Sequence, residues 1–245
     1  MAVKNMTEKK KVKKYPSGPP YLAFLILLSA SMKLLALGDG DAPWVGESFN
    51  GVPCNGSVAR NFGPYDYLIR GNMAVVHKAH FTPRVEQLLG GENAAGPTSD
   101  LDYVLKVIPN HHRALNSAQM FHFGEQRNGY EAQNRKGLTG YKLKSPIECY
   151  YQRALNFRPH DAISRMLYAT LLQRSGKNEL ALKQYEQSLR DQPGAANIQY
   201  NYALLLVDME QYEEARKLGL HLYTNGFPLP GLKKRLIAAG YWESD

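Results

Sequence analysis

Two prolines, Pro159 and Pro193, stand 34 residues apart, and the stretch between them limits the fold more than any other part of the chain. From 162 to 193, apolar and small residues recur at helical spacing in two runs separated by Gly176. Tyr168, Ala169 and Leu172 share one face of the first run, and Ala181, Tyr185 and Leu189 share one face of the second. The pattern predicts a helical hairpin closed by proline. A hairpin of this length cannot bury its apolar face alone and must stack on copies of itself, so the spacing predicts an array.

The register continues in both directions. Downstream, Tyr202, Ala203, Leu206, Tyr212 and Ala215 repeat it, although Gly219 stands where a large aromatic is expected and Pro228 comes one residue late. Residues 232–239 (LKKRLIAA) then predict a last helix with a polar outer face, which would cap the array. Upstream, Leu101 and Leu105 take the inward positions of the second helix of an incomplete unit that ends at Pro109. Residues 112–126 predict the next first helix, with Leu115, Ala118 and His122 inward, and residues 146–157 its partner. The interval from Pro109 to Pro159 is 50 residues, 16 longer than the next, and the excess falls in the polar stretch 127–144 as an insertion.

At these positions the chain resembles the tetratricopeptide repeat family, over about residues 97–240. The resemblance implies an all-α solenoid of helical hairpins whose first helices line a concave groove, and a role in binding a protein or peptide. Carried over by register, the groove positions are Arg113, Asn116, Met120 and Phe123, then Met166, Thr170 and Arg174, then Tyr200, Asn201 and Leu204. Asparagine and arginine suit an extended backbone or its carboxylate, while methionine and aromatic rings accept apolar side chains. The cationic clamp of chaperone-binding members is only partly present.

Before the repeats, residues 39–96 sustain no helical period and are rich in Gly, Pro, Asn and Asp. The aromatics Trp44, Phe49, Phe62, Tyr65 and Tyr67 nevertheless predict a lead-in packed on the helical body, because disordered chains seldom carry so many. Residues 75–80 read as a short strand or turn. Thr82 and Pro83 open a helix through Leu89 that Gly90 and Gly91 end.

Net charge is +8, but it is unevenly placed. Six lysines (Lys4, Lys9, Lys10, Lys11, Lys13, Lys14) and Lys33 against Glu8 put +6 in residues 1–38, leaving +2 for the rest. A near-neutral body lacks the basic stripe that nucleic acid requires. The lysines instead precede an apolar run at 21–37, the order of an export signal. Its 17 residues fall short of the roughly 20 that span a bilayer, which favours a cleaved signal peptide with Ala36 and Gly38 before the cut. If the run is kept, it is a membrane anchor with the lysines in the cytoplasm. Either way the body is exported, to a periplasmic or inner-membrane-anchored position in a bacterial cell.

Cys54 and Cys149 would then meet an oxidising compartment, either bridged or as two buried thiols. Asn55, Gly56 and Ser57 form a glycosylation sequon, meaningful only in a eukaryotic source. Sequence motifs for a phosphate loop, a nucleophile elbow or a zinc protease are missing, so the chain reads as non-enzymatic and calls for no cofactor or small-molecule ligand. Histidines are the one candidate metal or haem cluster: His77, His80, His111, His112 and His122. Against that reading, His111 and His112 suit a helix start and His122 a core position. The leading expectation is a protein-binding scaffold in the cell envelope. The alternatives are a histidine-based metal or haem protein and an accessory subunit of a membrane complex.

Overall fold

The computed structural model describes residues 42–69, 71, 73–124 and 141–243. The leader, including the run at 21–37, and most of the insertion lie outside the described residues. Ten helices occur among them: α1 Met73–His80, α2 Pro83–Glu86, α3 Thr98–Val107, α4 His112–His122, α5 Ile147–Phe157, α6 Ala162–Arg174, α7 Asn178–Asp191, α8 Ala196–Asp208, α9 Tyr212–Thr224 and α10 Gly231–Ala238. The fold is all-α. Among the described residues the only β-type pairing is an isolated bridge between Glu47 and Pro53.

Local chemistry sets the hairpin ends. Asp161 precedes α6 and its carboxylate accepts from the Ser164 N–H at 3.0 Å and the Ser164 hydroxyl at 2.9 Å, satisfying a donor that the helix itself leaves open. At the other end Gly176 takes a φ of +72°, and Lys177 N–H returns to the Leu172 carbonyl at 2.9 Å. Ala169 and Ala181 are fully buried, and these small side chains let α6 and α7 approach closely around Leu172 and Tyr185.

Each second helix packs on its own partner and on the first helix of the next hairpin: α3 on α4, α5 on α6, α7 on α8. The first helices α4, α6 and α8 lie side by side. The apolar core runs through them as three successive clusters, centred on Leu115 and Tyr151, on Leu172 and Tyr185, and on Leu206 and Leu232. Short α2 packs on α4 and α1 on α3, so together they stand in for the missing first helix of the opening unit.

Residues 73–80 are therefore helix α1, not the strand or turn that Val75 and Val76 predict. Burial of Val76 against α3 outweighs the weak strand preference of β-branched residues. Helix α2 also stops at Glu86, three residues short of expectation, since Leu88 adopts a positive φ of 60°. Helix α4 ends at His122, with Gly124 at a φ of +69°. His122 is exposed, so it does not fill a core position.

The first part of the lead-in, residues 42–55, forms an arm on the second-helix side. A disulfide joins Cys54 to Cys149 of α5, with Cα atoms 5.5 Å apart. Around it, the Trp44 ring meets Tyr150 edge-on at 5.2 Å, Phe49 N–H donates to Glu148 at 2.5 Å, and the Ser145 hydroxyl donates to the Asn55 carbonyl at 2.6 Å. Arg153 of α5 is buried, and its guanidinium donates to the carbonyls of Ala42, Leu105 and Lys106 at 2.7, 2.6 and 3.1 Å. It thereby pins the start of the arm to the last turn of α3.

At the far end α10 buries Leu232 and Leu236 against α8 and α9. Gly219 has a reason to lack a side chain: a Cβ there would lie 2.9 Å from the Trp242 ring, which supplies the aromatic bulk from further along the chain.

Candidate functional site

The face formed by α4, α6 and α8 carries the ten residues that register assigns to a groove, and the structure sorts them into three groups. At the opening end, Arg113 makes a bidentate pair with Glu86 of α2 and lies over the Phe81 ring at 5.5 Å. Ser117, one turn on, donates to the Glu86 carbonyl at 2.9 Å. This end of the face is tied to α2 through Glu86, while Arg113 itself stays exposed. At the closing end, Tyr200 is buried under Phe227 with ring centroids 4.8 Å apart, and the Leu204 carbonyl accepts from Arg235 at 3.5 Å.

Between them lies an open middle. The Arg174 guanidinium sits 3.9 Å from the centre of the Phe123 ring. Asn116 Nδ2 approaches the Met120 sulfur at 3.6 Å, and Asn201 Nδ2 lies 2.7 Å from the Asn197 carbonyl and 3.7 Å from the buried Met166 sulfur. Thr170 donates to the Met166 carbonyl at 3.1 Å and shares a hydrogen bond with Tyr185 at 3.0 Å.

Two further polar residues belong to this face. Gln173 donates to Asp208 at 2.5 Å, Arg235 pairs with the same carboxylate, and Tyr185 donates to Gln173 at 3.1 Å. Counting one more turn from Thr170 and Leu204 would have reached them, because residues three and four apart share a helix face. Glu86 had no such signal, as it sits outside the repeats. Amides, thioethers, an aromatic ring and guanidinium groups can hold an extended chain by hydrogen bonds and apolar contact. A cavity of about 610 Å³ opens beside the end of α4, lined by Phe49, Phe121, His122, Lys142, Lys144 and Glu148.

The five histidines do not converge. His77 and His111 meet, Nε2 to Nε2 at 2.8 Å. His80 pairs with Asp100 at 2.9 Å, His112 with Asp161 at 2.8 Å, and His122 lies apart on the surface. Among the described residues no three of His, Cys, Asp and Glu are grouped as a metal ion would require. His111 instead caps α4, its Nδ1 accepting from the Ala114 N–H at 3.0 Å. That bond places the ring proton on Nε2, which donates to His77.

Burial pushes His111 down to about 3, with the charges of His77 and Arg113 acting in the same direction. His77 is lowered by burial and by Arg113, with Glu86 opposing. Native His111 therefore stays neutral while the unfolded chain takes up a proton below its ordinary value of 6.5. Folding loses stability as pH falls from there toward 3, by ~2 kcal/mol between about pH 7 and pH 5 for this ring. His111→Asn keeps a capping acceptor but cannot titrate. Its thermal midpoint is expected to vary less over that interval than wild type, and an unchanged slope would show that His111 is not the titrating group.

No family model matches the chain, and no curated protein matches it. Among the described residues, no helix is long and apolar enough to cross a membrane.

Proposed function

We propose that this chain is a tetratricopeptide-type scaffold, exported to the cell envelope, that holds a protein or peptide segment along α4, α6 and α8 and performs no chemistry of its own. The observation that carries this reading is the placement of the arm. It packs on α5, a second helix, and leaves the middle of the first-helix face, from Asn116 to Asn201, partly open. Prolines at 34-residue spacing, buried Ala169 and Ala181 at the hairpin crossing, and atypical ends agree with such an array. The disulfide agrees with an oxidising compartment. The metal or haem alternative gains nothing from histidines that are bonded to one another or to aspartates.

The test is photo-crosslinking in cells from positions on each side. A crosslinking residue at Asn116 or exposed Asn197 is expected to capture the same partner, and one at exposed Lys183 of α7 is not. Arg174→Glu combined with Asn201→Ala should reduce that capture at least about tenfold, the equivalent of 1.4 kcal/mol. Equal capture from Lys183, or capture indifferent to the double substitution, would place the partner elsewhere.

A further inference from the structure

Helix α1 is docked by a bond that tolerates one protonation state only. His77 of α1 meets His111 at the head of α4, Nε2 to Nε2 at 2.8 Å, so just one of the two atoms can carry a proton. The α4 cap decides which. His111 Nδ1 accepts from the Ala114 N–H, so its Nε2 bears the proton and His77 Nε2 is bare. Neutral His77 therefore keeps its proton on Nδ1, and a second proton can go only to Nε2, where it meets the His111 N–H. If His111 turned its Nε2 into the acceptor, its own proton would move to Nδ1 and face the Ala114 N–H. Acid must break either the α1 contact or the α4 cap.

The weaker element is α1. It buries a single side chain, Val76, whereas α4 buries Ala114, Leu115, Ser117, Ala118 and Gln119. His77 is partly exposed and His111 fully buried, so protons reach the pair from the α1 side. Around His77, burial and Arg113 of α4 lower it from its ordinary value of 6.5, and Glu86 of α2 opposes them. From α3, Asp100 and Tyr103 face His80 instead, with His80 Nδ1 2.9 Å from Asp100 and its ring stacked on Tyr103 at 3.9 Å. A protonated His80 still donates to that carboxylate, so this end of α1 stays held. Tyr67, from the loop before α1, lies against His111 at 4.4 Å.

We propose that the contact between His77 and His111 is an acid-sensitive latch. Protonation of His77 undocks α1 from Met73 through His77, uncovers the side of α3 on which Val76 is buried, and leaves the hairpins from α5 to α10 folded. The docked state resists the proton and the released state accepts it, so docking weakens as pH falls below 6.5.

Hydrogen exchange tests this on the full chain with its disulfide intact, at pH 7 and pH 5, in pulses too short to label 162–191. Each rate is taken against an unfolded peptide at the same pH. Protection of the 77–81 amides is expected to fall at least about fivefold in acid. The ceiling is about 25-fold, set by a ring that titrates at 6.5 when released and takes no proton when docked. His77→Gln offers His111 an amide oxygen at either pH and should keep its protection constant. His111 is untouched in that variant and retains its effect on global stability, so an equal fall in both proteins overturns the latch. Protection lost first at 112–118 overturns it as well. Ring nitrogen resonances of the wild type provide a check that needs no substitution: at pH 7 His77 should be protonated on Nδ1 and bare on Nε2, and the opposite tautomer would remove the latch.

Discussion

Replacing Cys54 with serine and Cys149 with alanine together is expected to lower the free energy of unfolding by ~4 to 5 kcal/mol. The bridge closes 95 residues, and opening a loop of that size restores conformational freedom to the unfolded chain worth about that much at room temperature. Domains of this kind are stable by only about 5–15 kcal/mol, so the loss is roughly a quarter of the total or more. The native arm does not depend on the bridge alone, because Trp44, Phe49 and Asn55 each keep a contact with 145–150. The variant should therefore fold with the same helix content and unfold at lower urea. Wild type under reducing conditions should match it, and a change below about 1 kcal/mol would mean that the unfolded chain is already compact around the loop.

Arg153→Met should cost nearly as much, about 3–5 kcal/mol, for a different reason. Methionine fills much of the same volume, but the carbonyls of Ala42, Leu105 and Lys106 lose their donor, and each buried acceptor left unpaired costs about 1–3 kcal/mol. Two of these belong to the last turn of α3, where a helix has no internal partners to offer, so Arg153 acts as a cap supplied from another helix. Burial pulls its pKa down to about 10, which still leaves it charged at neutral pH, with the Trp44 ring 5.1 Å away. Lysine cannot span three acceptors with one ammonium, so Arg153→Lys should recover only part of the loss. Because Arg153 and the disulfide hold the same arm, the two effects should not add: in the cysteine-free chain Arg153→Met should cost less. Full additivity, measured by urea unfolding of all four chains, would refute their coupling.

Helices α5 to α10 were legible in the sequence because their signals are local. Alternating small and large residues from Tyr168 to Leu189, a glycine at the turn and a proline at the close act within a few residues of one another. What escaped the sequence was carried by contacts between distant residues. Arg153 looks like an ordinary helical arginine, and nothing near it says that its partners lie 111, 48 and 47 residues away. His111 was legible as a helix start, but its neighbour His77 comes from α1, which in sequence reads as a short strand or turn. Glu86 pairs with Arg113 from a four-residue helix with no repeat register. On the candidate face, register names residues on α4, α6 and α8 but gives no sign that Arg113 is tied to α2 or that Tyr200 lies under Phe227, since both partners come from outside the pattern.

The covalent link between the arm and α5 also governs how the body responds to force. A pull on the chain ahead of Ala42 extends only the residues up to Cys54, then passes through the sulfur bridge into Cys149. The 95-residue loop that contains α1 to α4 is bypassed by the load, so these helices cannot be unravelled one after another from that side. A protease that threads its substrate from the N-terminal end would have to draw in two strands at once when it reached Cys54. From the C-terminal end, α10 to α6 offer no such stop, and mechanical unfolding is expected to be directional.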